Sequence, residues 1–407
     1  DVTVVTPAVS AWRSVERGAA VARELEAASI RCIRTGHRWR NLSPYDLACR
    51  DSGLAWMWGG ICRRSLRSLR VEPQVGWLEE AERACAALVP DDVDLVLATG
   101  PPFIGFRLAA QIARRLDRPY VLDYRDLWTL NPHAKNMAWG TAIPLEGQLI
   151  AGAAAVTVVS EQLAASLRER FGVGDKICVV TNGYDPQDLE RAVPRDFGHF
   201  AIVYTGQFYP PKRVIEPLLH VLIRLKDVQR LGREWRFHYF GPHGSHVRAA
   251  MKGKGLDKDV VVHGSVTRAD ALAAVAGAGV CVVITSIYET GTREDLGVVT
   301  GKVFEAIGLR KPVLAIAPPG SDLERVLATS GFGRCFSGTE IEPMARYLAE
   351  LAEGHRAPVR EPDRYSWPSV GEAVDRVLRR VAFRGESREP VAAHARGEGA
   401  AMGSPGR

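Results

Sequence analysis

The chain has 407 residues, of which 46% are hydrophobic and 25% charged, and its formal net charge is +6. These values are typical of a globular protein with two domains, because a single hydrophobic core stops growing at about 250–300 residues. No uninterrupted run of about 18 apolar residues predicts a membrane span, and the opening segment lacks the regions of a signal peptide, so we expect a cytoplasmic protein.

Strand-like and helix-like segments alternate through the first half of the chain. The strand-like segments are short and apolar and end in turn-forming or polar residues, whereas the helix-like segments repeat apolar residues at helical spacing. The predicted strands lie at 1–7, 94–100, 119–126, 154–160 and 176–183, and the predicted helices at 15–28, 104–116 and 161–171. This alternation predicts a doubly wound parallel sheet with a ligand outside the carboxyl ends of its strands.

A second alternation follows a segment rich in Pro, Asp and Gly at 184–200, where the periodicity fades. Its segments lie at 200–206, 235–241, 260–266, 271–278, 280–286, 302–309 and 312–319. We therefore predict Rossmann-like domains at 1–190 and 191–368, followed by an amphipathic helix at 369–383. The polar tail at 384–407 is rich in Gly, Pro and Ala and is predicted to be disordered.

The segment VYTGQFYPPKR at 203–213 predicts a strand, a turn at Gly206 and a helix start near Lys212 and Arg213. Backbone N–H groups at a helix start attract anions, glycine lets a phosphate approach closely, and the two cations add positive charge. Strand–glycine–helix units also occur in α/β proteins without any ligand. The segment is therefore a candidate phosphate site, with an ordinary structural turn as the alternative.

Glu305 lies on an apolar helical segment, VFEAIGL, immediately before the apolar strand KPVLAIAPP. Acidic side chains at such places in nucleotide-binding folds accept hydrogen bonds from ribose hydroxyls. The alternative is an ion pair with a nearby Lys or Arg.

Four further motifs follow strands of the first half. They are LATGPP at Leu97–Pro102, RDLW at Arg125–Trp128, VVS at Val158–Ser160 and TNGYD at Thr181–Asp185. With the order and spacing of the predicted elements, they resemble retaining glycosyltransferases of the GT-B fold, in family four of bacterial sugar transferases. The subgroup that the chain resembles makes exopolysaccharides and natural-product glycosides. The resemblance extends to about residue 383 and implies two Rossmann-like domains facing a cleft, with the acceptor bound by 1–190, the nucleotide sugar by 191–368, and the helix at 369–383 crossing back to the first domain.

In that family a Gly is followed by an Arg and, six residues after the Gly, by a Lys, and both cations bind the donor diphosphate. Gly206 and Lys212 keep this spacing, but Gln207 stands at the Arg position. Arg213 is the candidate for the missing charge.

The family also has two glutamates eight residues apart. The second, which holds the ribose, corresponds to Glu305, whereas the first falls on Gly297. Either Glu294 or Asp295 substitutes for the first glutamate, or the group is absent. The loop between the two positions offers backbone amides to the diphosphate in family members, and here it comprises Gly297, Val298, Val299, Thr300, Gly301 and Lys302.

Lys302 is the candidate for stabilising charge on the leaving diphosphate, and a solvated lysine at a helix start is the alternative. The resemblance implies that the turn after VVVHGSV holds the base, which assigns His263, Gly264 and Val266 to it. A structural core histidine is the alternative for His263.

On the acceptor side, relatives often carry a His where this chain has Arg125, followed by Asp126. Arginine is not a proton acceptor at neutral pH, so we assign Arg125 to a phosphate or sugar hydroxyl, and Asp126 to orienting it or taking the acceptor proton. A strand-end ion pair of the two is the alternative. Pro101, Pro102 and Phe103 are candidates for the acceptor pocket, with a rigid turn as the alternative.

The resemblance implies a retaining transferase that moves a sugar from a UDP- or GDP-linked donor to a small-molecule or lipid-linked acceptor, in natural-product or cell-surface polysaccharide synthesis. Lys212, Lys302, Arg125 and Asp126 are its candidate catalytic residues. No metal or other cofactor is expected, because no DxD-type acidic pair follows a fitting strand and the seven cysteines are scattered. We expect no nucleic-acid partner, and a lipid-linked acceptor would bring the protein to the membrane surface. A nucleotide-sugar epimerase of the same fold and a non-catalytic nucleotide-sugar-binding subunit remain alternatives.

Overall fold

The computed structural model describes residues 1–8, 15–36, 75–131, 142–227, 234–355 and 360–383. The tail at 384–407, for which disorder is predicted, lies outside the described residues. Within the described ranges, no helix combines the length and the apolar character that a membrane span requires.

The first half forms parallel strands connected by helices. Its strands are β1 (Thr3–Pro7), β2 (Arg31–Thr35), β3 (Val96–Gly100), β4 (Tyr120–Tyr124), β5 (Ala155–Val158) and β6 (Ile177–Val179). Its helices are α1 (Val15–Ala27), α2 (Val75–Ala84), α3 (Ile104–Leu116), α4 (Ala142–Gly152), α5 (Glu161–Phe171) and α6 (Pro186–Glu190). Strands β3 to β6 pair in chain order, and β1 pairs with β2, all in parallel.

An apolar cluster joins these elements. Trp77 and Leu78 of α2 pack with Ile104 and Leu108 of α3, and Val5 of β1 packs against the same cluster. Helix α3 carries its apolar residues at helical spacing and ends where Asp117 adopts a left-handed conformation. These contacts bury the apolar faces of α2 and α3 against β1 and β3.

The second half forms a six-stranded parallel sheet. Its strands are β7 (Phe200–Thr205), β8 (Trp235–Phe240), β9 (Val260–Gly264), β10 (Val280–Ile284), β11 (Val313–Ile316) and β12 (Gly333–Phe336). Its helices are α7 (Glu216–Asp227), α8 (Gly244–Met251), α9 (Arg268–Gly277), α10 (Arg293–Leu296), α11 (Gly301–Gly308), α12 (Asp322–Ser330), α13 (Ile341–Ala352) and α14 (Trp367–Ala382). The spatial order is β12-β11-β10-β7-β8-β9.

Strand β7 illustrates why this sheet is buried on both faces. Ile202 and Tyr204 belong to the apolar cluster on one face, and Ala201 and Val203 to the cluster on the other. Alternate residues of a strand point to opposite faces, so a strand that is apolar throughout needs helices on both sides. Both halves are therefore parallel-sheet α/β domains, which confirms the predicted fold class.

The two halves also contact each other. Val377 and Val381 of the last helix, α14, pack against Val121 of β4 and Ala155 of β5. On the other side, Asp322 at the start of α12 accepts a hydrogen bond from the backbone N–H of Gln162 in α5, at 2.8 Å. The second contact brings the start of α5 next to α10 and the loop that precedes α11.

Candidate active site

A cavity of about 230 Å³ lies at the carboxyl ends of β7 and β10. The chain runs outward from β7 to β8 and β9, and then returns to the other side of β7 to form β10. The order of strands thus reverses between β7 and β10, which is where open α/β sheets bind their ligands. The cavity is lined by Tyr204, Gly206, Gln207, Tyr209, Arg213, Val283, Ile284, Thr300 and Lys302. Two of these residues are cations and none is acidic.

Gly206 brings the strand end close to Lys302. The φ angle of Gly206 is 152°, a conformation that residues with a side chain rarely adopt. A Cβ at this position would lie 2.9 Å from Cε of Lys302, closer than a normal contact. The absence of a side chain at residue 206 therefore lets the lysine at the start of α11 lie close across the strand end.

The loop from Gln207 to Arg213 forms one wall of the cavity. Tyr209 and Arg213 exchange backbone hydrogen bonds at 2.8 and 3.0 Å, and the Arg213 guanidinium lies 5.1 Å from the centre of the Tyr209 ring. The Tyr209 hydroxyl donates to Oε1 of Gln207 at 2.8 Å, which leaves the Gln207 amide N–H groups as donors. The buried Nε of Arg213 and the hydroxyl of Thr300 have no hydrogen-bond partner among the described residues. The wall therefore offers positive charge and free donors to a ligand.

The predicted helix start in this loop is wrong. Helix α7 begins at Glu216, and the closed loop precedes it. Arg213 therefore reaches the cavity from a loop that its own backbone pairing closes, and not from a helix N-terminus.

Lys212 is not among the described residues that line the cavity. Its Nζ lies 2.5 Å from Oδ1 of Asp295, whose side chain is only 7% exposed. The other carboxylate oxygen accepts hydrogen bonds from the backbone N–H and hydroxyl of Thr292. Burial by itself would raise the pKa of Asp295, but the hydrogen bonds from Lys212 and Thr292 outweigh it and lower that pKa.

Gly297, at the position of the family's first glutamate, packs against the first domain. A Cβ on Gly297 would lie 2.5 Å from Cδ2 of Leu163 and 3.1 Å from its backbone N. The carbonyl oxygen of Gly297 accepts a hydrogen bond from the buried hydroxyl of Ser160 at 2.9 Å. The domain contact therefore leaves no room for a glutamate here. Glu294 accepts a hydrogen bond from Ser166 instead, and Asp295 holds Lys212.

The rest of the predicted loop leads into α11. Val298 donates a weak backbone hydrogen bond to Asp295 at 3.4 Å, and the half-buried Val299 packs against the core. Gly301 is the first residue of α11, and the space beside its Cα is open. The backbone is therefore accessible next to Thr300 and Lys302, where the cavity begins.

Glu305, one turn after Lys302 on α11, is 22% exposed and forms an ion pair. The guanidinium of Arg268 donates to it at 2.7 Å, and also donates twice to Asp188 of α6, at 3.0 and 3.1 Å. The two carboxylates raise the pKa of Arg268 against the opposing effect of burial. The ion-pair alternative for Glu305 thus describes the structure, and one carboxylate oxygen remains available to a ligand.

His263 belongs to a chain of three imidazoles. Its Nε2 lies 2.9 Å from Nδ1 of the buried His238, whose Nε2 lies 2.9 Å from Nε2 of His199. The His263 ring stacks on Phe240 with centroids 4.0 Å apart. Burial, followed by the neighbouring imidazoles, lowers the pKa of His238 to about 3. Burial also lowers the pKa values of His199 and His263, so all three imidazoles are neutral at physiological pH. Gly264, with φ of 76°, accepts a backbone hydrogen bond, and Val266 is 38% exposed.

Arg125, at the end of β4, forms its hydrogen bonds with residues of its own domain. It forms a two-pronged ion pair with the buried Asp123, at 2.7 and 2.9 Å, and donates to the carbonyl of Thr181 at 3.2 Å and to Asn182 at 3.3 Å. Asp123 also accepts hydrogen bonds from Thr99 and Thr157. The alternative of a strand-end ion pair between Arg125 and Asp126 is not what forms, since Asp123 is the partner of Arg125.

Asp126 is exposed, and the described residues provide it with no hydrogen bond or ion pair. Desolvation by the surrounding protein nevertheless raises the pKa of Asp126. The loop that carries it is anchored by the fully buried Glu146, which accepts hydrogen bonds from the Tyr124 hydroxyl and from Thr129. Asp126 is therefore a free carboxylate on a well-anchored strand end.

The predicted acceptor residues separate into two groups. Pro101 and Pro102 are exposed at the end of β3. Phe103 is 8% exposed, and its ring stacks on Trp128 with centroids 5.2 Å apart. Phe103 is thus a packing residue beneath the loop, and only the two prolines face outward.

Sequence reasoning missed several residues that the fold brings to the site. Tyr204, Val283 and Ile284 line the cavity but lie within apolar runs that are typical of ordinary core, and Tyr209 lies in the turn segment GQFYPPKR, where its sequence context does not mark it as a site residue. Asp123 was detectable, because a carboxylate within the apolar strand YVLDY needs a buried partner. Among the described residues, no group of three or more His, Cys, Asp or Glu side chains is arranged to hold a metal ion.

Comparisons with known proteins agree with this architecture. Residues 1–183 match the family "Glycosyl transferase 4-like domain", and residues 199–353 match "Glycosyl transferases group 1". No curated protein matches the chain with significant sequence similarity.

Solved structures match almost the whole chain at low identity. Sucrose-phosphate synthase from Thermosynechococcus elongatus is 15% identical with a TM-score of 0.60, covering 95% of this chain and 100% of that one. Anabaena HepE in complex with UDP is 14% identical with a TM-score of 0.55, covering 93% and 100%. The lipopolysaccharide outer core galactosyltransferase WaaB is 14% identical with a TM-score of 0.53, covering 93% and 98%. At such identities the likeness is one of fold. The chain thus joins a glycosyl transferase 4-like domain to a glycosyl transferases group 1 domain, and it is a glycosyltransferase of the GT-B type.

Proposed function

We propose that the protein is a retaining glycosyltransferase that takes a sugar from a UDP- or GDP-linked donor. The observation that carries the proposal is the cavity at the switch point of the second sheet, with Arg213 and Lys302 on its wall and no acidic residue among its described lining. A nucleoside diphosphate is an anion with several acceptor oxygens. The free donors of Arg213, Gln207 and Thr300 match that chemistry.

The donor diphosphate lies against Gly206, Arg213 and Lys302 in this proposal. Arg213 takes the place of the arginine that the family carries at the Gln207 position. As the bond from the anomeric carbon to the diphosphate oxygen breaks, negative charge grows on that oxygen, and the ammonium of Lys302 stabilises it. The transfer needs no metal in this proposal, because protein cations perform that electrostatic role.

Glu305 accepts hydrogen bonds from the ribose hydroxyls. Arg268 donates to one of its oxygens at 2.7 Å, and the other oxygen accepts from the ribose. The base lies near the turn of His263, Gly264 and Val266. UDP is the first nucleotide to test, since HepE was solved with UDP and with UDP-glucose.

The acceptor binds to the first domain, near the exposed Pro101, Pro102 and Asp126. Its hydroxyl or thiol attacks the anomeric carbon on the face that the diphosphate leaves, which retains the configuration. The proton passes to a phosphate oxygen of the leaving group or to Asp126, whose pKa is raised by desolvation, which makes its carboxylate a stronger base. The acceptor is a small molecule or a lipid-linked glycan precursor, and the latter would place the protein at a membrane surface.

The first test is thermal stabilisation by UDP, GDP, ADP and dTDP, with wild type, Lys302→Met and Glu305→Ala. A ligand at 100 times its dissociation constant adds about 2.7 kcal/mol to stability. We expect one nucleotide to stabilise the wild type and both variants to lose most of the effect. Lys252→Met is the matched control, because Lys252 is an exposed lysine beyond the end of α8 and is not among the cavity residues.

The second test follows the sugar. Incubation of the matching nucleotide sugar with an acceptor panel should release nucleoside diphosphate only when an acceptor is present. Turnover of donor to an isomer without acceptor would point to an epimerase, and binding without any product to a non-catalytic subunit. Failure of all four nucleotides to stabilise the wild type would overturn the proposed donor site.

A further inference from the structure

Helix α10 connects the loop from Gln207 to Arg213, called the donor loop below, to helix α5 of the first domain. Arg293 pairs with Glu169 at 2.8 Å, and Glu294 accepts a hydrogen bond from Ser166 at 2.8 Å, both on α5. Asp295, the next residue after Glu294, points back into its own domain, to Lys212. Three consecutive residues therefore contact the acceptor domain on one side and the donor loop on the other.

Hydrogen bonds hold both members of the Lys212–Asp295 ion pair in place. Asp295 is nearly buried and is oriented by two hydrogen bonds from Thr292, while the backbone carbonyl of Lys212 accepts a hydrogen bond from Ile287 at 2.8 Å. The ammonium group of Lys212 forms its ion pair with this carboxylate, at 2.5 Å. The neighbouring Arg213 reaches the cavity from the same loop, so the two adjacent cations have different partners.

We propose that Asp295 is a positioning residue that competes with the donor diphosphate for Lys212. The inference rests on the proposed function, since it requires a diphosphate in the cavity. Without donor, Asp295 holds Lys212 away from the cavity. When the diphosphate binds, Lys212 turns to it, and Asp295 loses the cation that ties α10 to the donor loop. The contacts of α10 with α5 then report donor occupancy to the acceptor domain.

The inference makes a directional prediction that a purely structural role does not. Asp295→Asn keeps an acceptor for Thr292 but gives up the charge that holds Lys212. We expect it to bind the nucleoside diphosphate about two- to fivefold more tightly than the wild type, in the range of a partly exposed ion pair. Isothermal titration with UDP or GDP, whichever stabilises the wild type, measures the change.

The effect must depend on Lys212. Lys212→Met should weaken binding, and Asp295→Asn added to Lys212→Met should have no further effect. Asp259→Asn is the matched control: it removes another aspartate–lysine pair of the same domain, with Lys226 at 2.8 Å, and should leave affinity unchanged. If Asp295→Asn does not fold, Asp295→Ser serves in its place, since its hydroxyl also accepts from Thr292.

Each outcome has a definite meaning. Equal or weaker binding by Asp295→Asn, or the same gain in the Lys212→Met background, would overturn the competition between carboxylate and diphosphate. Absence of nucleotide binding by the wild type would instead overturn the proposed function.

Discussion

Gly206→Ala tests the close approach of β7 to Lys302. The substitution has two separable effects: it forces alanine into a φ of 152°, and it places a Cβ 2.9 Å from Cε of Lys302. Strained backbone conformations of this kind cost about 1–3 kcal/mol of stability. Contacts between carbon atoms are favourable at about 3.5–4.0 Å, so the lysine side chain must move by roughly 0.6–1 Å or leave the strand end.

Nucleotide affinity should fall together with stability. A hydrogen bond to a charged group contributes about 1.5–3 kcal/mol, so displacement of Lys302 should weaken diphosphate binding by about tenfold to a hundredfold. Thermal unfolding measures the stability, and isothermal titration with the nucleotide measures the affinity.

Gly253→Ala separates the two effects. Gly253 also has a positive φ, of 74°, but a Cβ there meets no atom within 4 Å. The Gly253→Ala variant should therefore lose stability through backbone strain, while its nucleotide affinity stays at the wild-type value. Wild-type affinity in Gly206→Ala would refute the argument that Lys302 acts from its position across the strand end.

Three further predictions concern the acceptor domain and the domain contact. Gly297→Glu, which restores the family's first glutamate, should collide with Leu163 and lower both melting temperature and transfer rate; a gain in rate would contradict the packing argument. Burial raises the pKa of Glu146, so its ionisation opposes folding as pH rises through that pKa. The difference in melting temperature between Glu146→Gln and the wild type should therefore be more positive at pH 8 than at pH 5. A difference that is more positive at pH 5 would contradict a raised pKa for Glu146. Asp126→Asn should reduce turnover by about a hundredfold with nucleotide affinity unchanged if Asp126 takes the acceptor proton, and unchanged turnover would assign the proton to the diphosphate.

The fold was predictable because its signals are local. Strands of a parallel sheet that is covered on both faces are apolar throughout, as in β7 and β10, and the intervening helices repeat apolar residues at helical spacing. The turn at Gly206 and the lysine at the start of α11 were readable for the same reason, since each depends on a few neighbouring residues.

The partners of the charged residues were not predictable in this way. Lys212 and Asp295 are 83 residues apart in sequence, and Arg268 and Glu305 are 37 apart. Spacing within one segment carries no information about such pairs, because they form only when strands and loops from distant parts of the chain meet. The family's spacing predicts Lys212 at the diphosphate, but it carries no information that Lys212 pairs with Asp295 or that Arg213 lines the cavity.

The sequence by itself determined the alternation of strands and helices, and with it the carboxyl-end crevice in which a ligand lies. Only the tertiary structure decided that Arg213 lines that crevice while its neighbour Lys212 pairs with Asp295, and why residue 297 is glycine. The physical reason is that apolar periodicity and glycine turns act within a segment. The direction of a charged side chain depends instead on the carboxylates, carbonyls and helices that the rest of the fold places around it.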